Sequence, residues 1–109
     1  MDHISKNPYK FVSKFLNIVE SVTGYDYDDD NTFDLYTEDD YMAIYKKFQY
    51  YISDKVEPNW SIDEDNIYKN SITLVYNSDK DGCRFILFHF IADKSEYDTN
   101  VSIVIENVY

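Results

Sequence analysis

Carboxylates are the residues of this chain with the most chemistry to offer. Between Asp26 and Asp40 stand eight acids, Asp26, Asp28, Asp29, Asp30, Asp34, Glu38, Asp39 and Asp40, with no Lys or Arg among them. Like charges this dense repel one another in a compact state, and folded proteins normally intersperse the two signs. Positive charge from outside the chain resolves the conflict, either as a bound cation or as the basic surface of another protein. Spacing tests the cation. Asp26, Asp28, Asp30, Thr32 and Asp34 fall at positions 1, 3, 5, 7 and 9 of a twelve-residue calcium loop, but Asn31 stands where glycine makes the sharp turn. Thr37 stands where a bidentate glutamate closes the shell, so the signature is broken and no metal site is expected.

Other chemistry is poorly supplied. His3 lies near the N-terminus, and His89 sits inside the most apolar segment, the usual setting of a structural histidine. There is no phosphate-binding glycine loop, nucleophile elbow or paired Cys/His spacing. With two glycines in the chain, a loop that cradles phosphate through its backbone is hard to build. The sequence reads as a protein that is not an enzyme and takes no cofactor.

A net charge of −11 on 109 residues argues against nucleic acid and anionic membrane as direct partners, since both repel it. Codon bias in AT-rich genes raises Lys as readily as Asp, yet 21 acids face 10 bases, so bias does not explain the imbalance. Plain solubility remains an alternative source of the acidity. The 44% apolar and 18% aromatic content is enough for one core and unlike a disordered acidic tail, so residues 1–109 read as a single domain. Cys83 is alone, which suits a reducing cytoplasm. Residues Met1 to Lys10 contain no apolar signal region, and no run approaches the roughly 18 apolar residues of a membrane span.

The elements that must position the acids are well punctuated. Asn7 and Pro8 suit a helix start and Gly24 a helix end, with Phe11, Phe15, Ile18 and Val22 as the apolar face. Lys6, Lys10 and Lys14 form a solvated stripe on another side. Asn31 to Tyr36 reads as a short strand with Phe33 and Leu35 on one face, and Thr32 and Asp34 on the other. Thr37 is the expected cap of a second helix, whose first turn would hold Glu38, Asp39 and Asp40 near the positive end of the helix dipole. Its buried stripe is Tyr41, Ile44, Tyr45, Phe48 and Ile52, and Lys46, Lys47 and Lys55 follow nearer its C-terminal end. Glu57 to Lys69 reads as a connection holding Asp63, Glu64 and Asp65. Three strands then follow, Ser71 to Asn77, Cys83 to Ala92 and Val101 to Val108, the middle one apolar on both faces. The expected fold is α+β, two helices packed on an antiparallel β-sheet in the order α-β-α-β-β-β.

The block Ile18-Val19-Glu20-Ser21-Val22-Thr23-Gly24, with the acidic strand and Tyr36-Thr37-Glu38-Asp39 after it, resembles the phage uracil-DNA glycosylase inhibitor family. In that family a similar helix end is followed by a strand bearing Glu-Ser-Ile and by a helix that opens on acids. Val75-Tyr76-Asn77-Ser78, Ala92-Asp93, Glu96-Tyr97 and Ser102-Ile103-Val104-Ile105 resemble its later strands, with insertions. The resemblance implies a DNA mimic whose acidic strand fills an enzyme's DNA-binding groove, while an apolar pocket grips a protruding leucine of the enzyme. By position, Asn31, Thr32 and Phe33 take the place of Glu-Ser-Ile, and Glu38 and Asp39 that of the helix-start acids. The neutral Asn31 departs from the family's Glu, with Asp30 one place before it. The implied pocket draws on Leu35, Ala43, Ile44, Leu87 and Ile103.

The expected partner is therefore the basic DNA-binding surface of a protein enzyme in a bacterial cytoplasm, with uracil-DNA glycosylase first. It would be met by Asp28, Asp29, Asp30, Asn31, Thr32, Phe33, Asp34, Leu35, Glu38, Asp39 and Ile44. An immunity protein or antitoxin that neutralises a toxin nuclease, an inhibitor of a restriction or CRISPR nuclease, and a cation-binding module are the alternatives. The oligomeric state is open.

Overall fold

A computed structural model describes residues 7–28, 31–55, 60–66, 71–78, 84–94 and 99–108. It shows an α+β fold in which two helices pack on one antiparallel sheet. The element order is α1 (Pro8–Ile18), β1 (Val22–Asp28), β2 (Thr32–Thr37), α2 (Tyr41–Lys55), β3 (Trp60–Asn66), β4 (Ser71–Ser78), β5 (Arg84–Lys94) and β6 (Thr99–Val108). Two strands, β1 and β3, stand where the sequence reads as helix end, acidic segment or connection.

The start of α1 is as its sequence implies. Asn7 Oδ1 accepts the Lys10 backbone N–H at 3.0 Å, and Pro8 opens the first turn. Its end comes six residues before Gly24. Val19 is extended, with φ −81° and ψ 115°, and its N–H still closes on the Phe15 carbonyl at 3.2 Å. The β-branched Val19, Val22 and Thr23 favour extended backbone, and Gly24 lies inside β1 instead of capping the helix. The buried face of α1 is consequently Phe11, Val12, Phe15 and Leu16, whereas Ile18 is 62% exposed and Val22 belongs to the sheet.

Helix α2 likewise begins later than Thr37. Asp40 is its cap: Asp40 Oδ1 accepts the Ala43 N–H at 2.8 Å, and the Asp40 carbonyl accepts that of Ile44 at 3.1 Å. Thr37 Oγ1 instead accepts the Asp39 N–H at 3.0 Å, which fixes the turn between β2 and α2. Glu38, Asp39 and Asp40 thus precede the helix and do not fill its first turn. The expected stripe holds, with Ile44, Tyr45, Phe48 and Ile52 buried and Tyr41 half-buried.

The sheet order is β1-β2-β6-β5-β4-β3, with every neighbouring pair antiparallel. β5 is central, as its two apolar faces imply. Both helices cover one face. Phe48 packs against Phe88 and Phe90 of β5 at ring-centroid distances of 5.0 and 5.3 Å, and against Phe15 of α1 at 5.0 Å. Ser13 and Tyr25 hydroxyls meet at 2.5 Å, which ties α1 to β1. On this side Phe33, Leu35, Ile72, Leu74, Ile86, Ile103 and Ile105 complete the core.

Candidate functional site

The acidic segment folds into the β1–β2 hairpin at one edge of the sheet. Paired residues of an antiparallel ladder share a face, and the register opposes Asp26 to Asp34, Asp28 to Thr32, Tyr27 to Phe33 and Tyr25 to Leu35. Tyr25, Tyr27, Phe33 and Leu35 therefore point toward the helices. Asp26, Asp28, Thr32 and Asp34 point to the opposite, helix-free side. The segment that resembled a calcium loop is instead a hairpin, and among the described residues no group of three or more His, Cys, Asp or Glu is arranged to hold a metal ion.

Hydroxyls hold two of these carboxylates. The Tyr36 hydroxyl donates to Asp26, and Ser102 Oγ donates to Asp34 Oδ1 at 2.8 Å. A neutral donor orients a carboxylate and leaves its charge in place, so the hairpin keeps its negative potential. Tyr36 senses that potential. Its phenol is pushed above its ordinary pKa, first by the hydrogen bond to Asp26, then by the charge of Asp26, with Asp34 and Asp28 adding to it. Asp39, by contrast, is met by a cation, since Lys47 Nζ lies 2.6 Å from Asp39 Oδ2 and also donates to Ser21 Oγ at 3.0 Å. The Lys47 hydrogen bond, then that of Ser21, lowers the Asp39 pKa.

Asn31 is a turn residue. Its φ of 61° lies in the left-handed region, which Asn tolerates better than most side chains, and its carbonyl accepts the Ile105 N–H at 3.0 Å. Local geometry thus accounts for an amide where the resembling family carries Glu. Asp29 and Asp30 lie outside the described residues, as do His3 and Cys83.

The remaining expected site residues divide. Asp28 and Glu38 are exposed and Thr32 is half-buried. Phe33, Leu35 and Ile44 are core residues, at 2%, 0% and 0% exposure, and Ile103 is equally covered. Leu35, Ile44 and Ile103 are taken up by the protein's own core and present no surface to a partner, while Ala43 is half-buried and Leu87 lies half-buried on the opposite face of the sheet, so the expected pocket does not assemble. An open cleft of about 450 Å³ lies elsewhere, between the end of α1 and α2, lined by Phe15, Ile18, Val19, Lys47, Tyr50 and Tyr51 among others. Two large residues lining it, Ile18 and Tyr50, are 62% and 79% exposed.

Both acidic runs of the sequence occupy sheet edges. β1 carries Asp26 and Asp28, while β3, at the other edge, is the strand containing Asp63, Glu64 and Asp65. Charge on edge strands discourages pairing with a second sheet, and the register shifts in both edge pairs, between Val22 and Gly24 and between Ile62 and Glu64, add to that effect. Part of the acidity thus has a structural function.

His89 lies on the helix-free side of β5. Its Nδ1 is 2.8 Å from Thr73 Oγ1 and its Nε2 is 3.1 Å from Glu106 Oε2, a polar chain across three strands that fits the structural role expected of it. Among the described residues no helix is long and apolar enough to cross a membrane. Compared with protein-family models, curated proteins and solved structures, the chain matches none.

Proposed function

We propose that this protein is a DNA-mimicking inhibitor that occupies the DNA-binding groove of a DNA-processing enzyme, with uracil-DNA glycosylase as the first target. The observation that carries the reading is the row of carboxylates on one side of the β1–β2 hairpin, where Asp26 and Asp34 are oriented by neutral hydroxyls and, among the described residues, by no Lys or Arg. Alternate residues of a strand advance about 7 Å, twice the roughly 3.4 Å axial rise per phosphate on one DNA strand. From Thr32 to Thr37 the strand spans about 17 Å at about 3.4 Å per residue, and Glu38, Asp39 and Asp40 follow it in the sequence. Such a strip complements a groove of Lys and Arg built for phosphates, and complementary charge speeds encounter and selects the partner.

The protein itself is not an enzyme in this reading, and it acts in the cytoplasm of a bacterium, where the target meets DNA. A uracil-excision assay with excess protein tests it: excision falls, competitively with DNA and at one protein per enzyme. A gel shift with duplex DNA at low salt shows no complex, because both partners are negative. Undiminished excision removes glycosylase as the target, and the same competition format then decides among restriction, repair and CRISPR nucleases. A salt-sensitive complex with DNA overturns mimicry altogether.

A further inference from the structure

The helix-free face of the sheet carries large apolar side chains at its centre, on either side of His89. An antiparallel sheet with one face in water normally alternates apolar and polar along each strand, and β5 does not. Phe85, Leu87 and Ile91 all project to the uncovered side, where Phe85 is 38% exposed and the other two are half-buried. The register sets Ile91 beside Ser102 and then Asp34 and Asp26, sets His89 beside Val104 and then Thr32 and Asp28, and sets Leu87 between Val75 and Glu106. Two rows thus run from carboxylates at the β1 edge to large side chains at mid-sheet, and the third brings the exposed Glu106 against Leu87. Large apolar side chains left half-covered beside a charged rim mark interaction sites.

We infer that this face docks an amphipathic helix of a basic partner protein, whose apolar stripe lies along Leu87, Ile91 and Val104 and whose flanking Lys or Arg residues meet Asp26, Asp34 and Glu106. Charge selects this occupant. A second copy would bring another strongly acidic chain against the same carboxylates, whereas a basic helix brings the opposite sign. The opposite face already shows that the sheet accepts a helix, through Phe48 against Phe88 and Phe90. The inference goes beyond the hairpin of the proposed function and requires no particular enzyme as the partner.

The test uses a synthetic helical peptide with a leucine stripe flanked by lysines, titrated into the isotopically labelled full chain and followed by amide NMR shifts. A peptide with the same stripe and glutamates in place of lysines is the control. The expected result is saturable binding of the lysine peptide alone, with shifts centred on Leu87, His89, Ile91 and Val104. Affinity falls at least tenfold in the Leu87→Asn, Val104→Asn double variant and falls with added salt. Thermal melting of the same variant establishes that it folds, and Leu87→Asn alone, expected to lose several-fold, replaces it if it does not. Absence of binding, equal binding of both peptides, shifts confined to the hairpin acids, or self-association that covers the same residues each overturns the inference. Because no glycosylase enters the experiment, its failure is distinct from a negative excision assay.

Discussion

On the helix-covered face of the sheet, Phe88 and Phe90 are fully buried beneath Phe48, while on the other face of the same strand Phe85 keeps 38% of its surface and Leu87 and Ile91 are half-buried. The strand supplies similar side chains to both sides, and what differs is the cover. Burial follows apolar area removed from water, so the first face carries the stability of the fold and the second carries little of it. The acids follow the same division. None of the buried core residues is charged, whereas Asp26, Asp28, Asp34 and Glu106 all stand on or beside the open face. A surface that contributes little to folding is free to be shaped for a partner.

The largest effect that separates the faces is a truncation. Phe48→Ala removes a ring that touches Phe11, Phe15, Phe88 and Phe90 and is expected to cost about 3–5 kcal/mol, much of the roughly 5–15 kcal/mol available to a domain. Leu87→Ala on the open face is expected to cost about 1 kcal/mol or less. Denaturant unfolding of both variants decides it. A Leu87→Ala loss as large as that of Phe48→Ala would mean that the open face is covered in the free protein.

The next effect concerns the turn that presents the acids. At φ 61°, a residue with a Cβ is strained by about 1–2 kcal/mol unless its side chain compensates, and glycine is not. Asn31→Ala is therefore expected to lower stability by about 1 kcal/mol and Asn31→Gly to leave it unchanged or raised. Asn31→Glu, which installs the acid of the resembling family, is expected to behave like Asn31→Ala in melting. If Asn31→Glu melts above the parent, strain is not the reason for the amide.

The face of α2 and the later strands were legible in the sequence, while the face of α1 was legible only as far as Phe11 and Phe15. Ile44, Tyr45, Phe48 and Ile52 recur at helical spacing, and the run from Phe85 to Ile91, apolar on both faces, marks a central strand. β1 was not legible, because Gly24 reads as a helix stop and Tyr25-Asp26-Tyr27-Asp28 reads as charge before it reads as alternation. β3 was hidden in the same way by Asp63, Glu64 and Asp65. Edge strands carry charge to avoid pairing, and that charge masks their period. Of the acids that share the hairpin face, Asp28 and Asp34 were among the expected contacts and Asp26 was not, because the hairpin that sets it opposite Asp34 depends on the unread β1. The apolar side of the candidate site was misplaced at Leu35 and Ile44, because local pattern distinguishes apolar from polar and does not tell which apolar face will be covered.

A smaller effect tests the hairpin's charge. Asp26 and Asp34 are directly opposed, and like charges in that position are destabilising by about 0.2–1 kcal/mol. Asp26→Asn or Asp34→Asn is expected to raise stability within that range at low salt, with the gain shrinking as salt screens it, and to slow association with the target. Loss of cooperative melting in either variant would make the acids structural. Tyr36 reports on the same field. Its folded pKa lies above its ordinary value, so the native arrangement is favoured fully below pH 10, with that contribution lost as pH rises through the folded value. In alkaline absorbance titrations, the component missing from Tyr36→Phe should ionise above pH 10 and move down when Asp26 is changed to Asn.

The smallest expected effect lies where an acid of the segment is met by a lysine. Asp39 and Lys47 form a partly exposed pair, with side chains 26% and 46% exposed, and such pairs contribute about 0.2–1 kcal/mol. Because Lys47 and Ser21 hold the Asp39 pKa below its unfolded value, their contribution is present above the unfolded carboxylate value and disappears as pH falls through the folded one. Lys47→Met should therefore lower the melting temperature slightly at neutral pH and leave it nearly unchanged in acid, where Asp39 is protonated in both proteins. The sign at neutral pH separates two accounts of this acid. If the pair is structural, the variant loses its small increment and gains nothing in binding. If Asp39 belongs to the strip that meets a basic target, removing Lys47 frees a carboxylate for that target, and association should quicken at low salt even as stability falls. Stopped-flow association and thermal melting of one variant give both signs, and quickened association together with lowered stability is the expected pair.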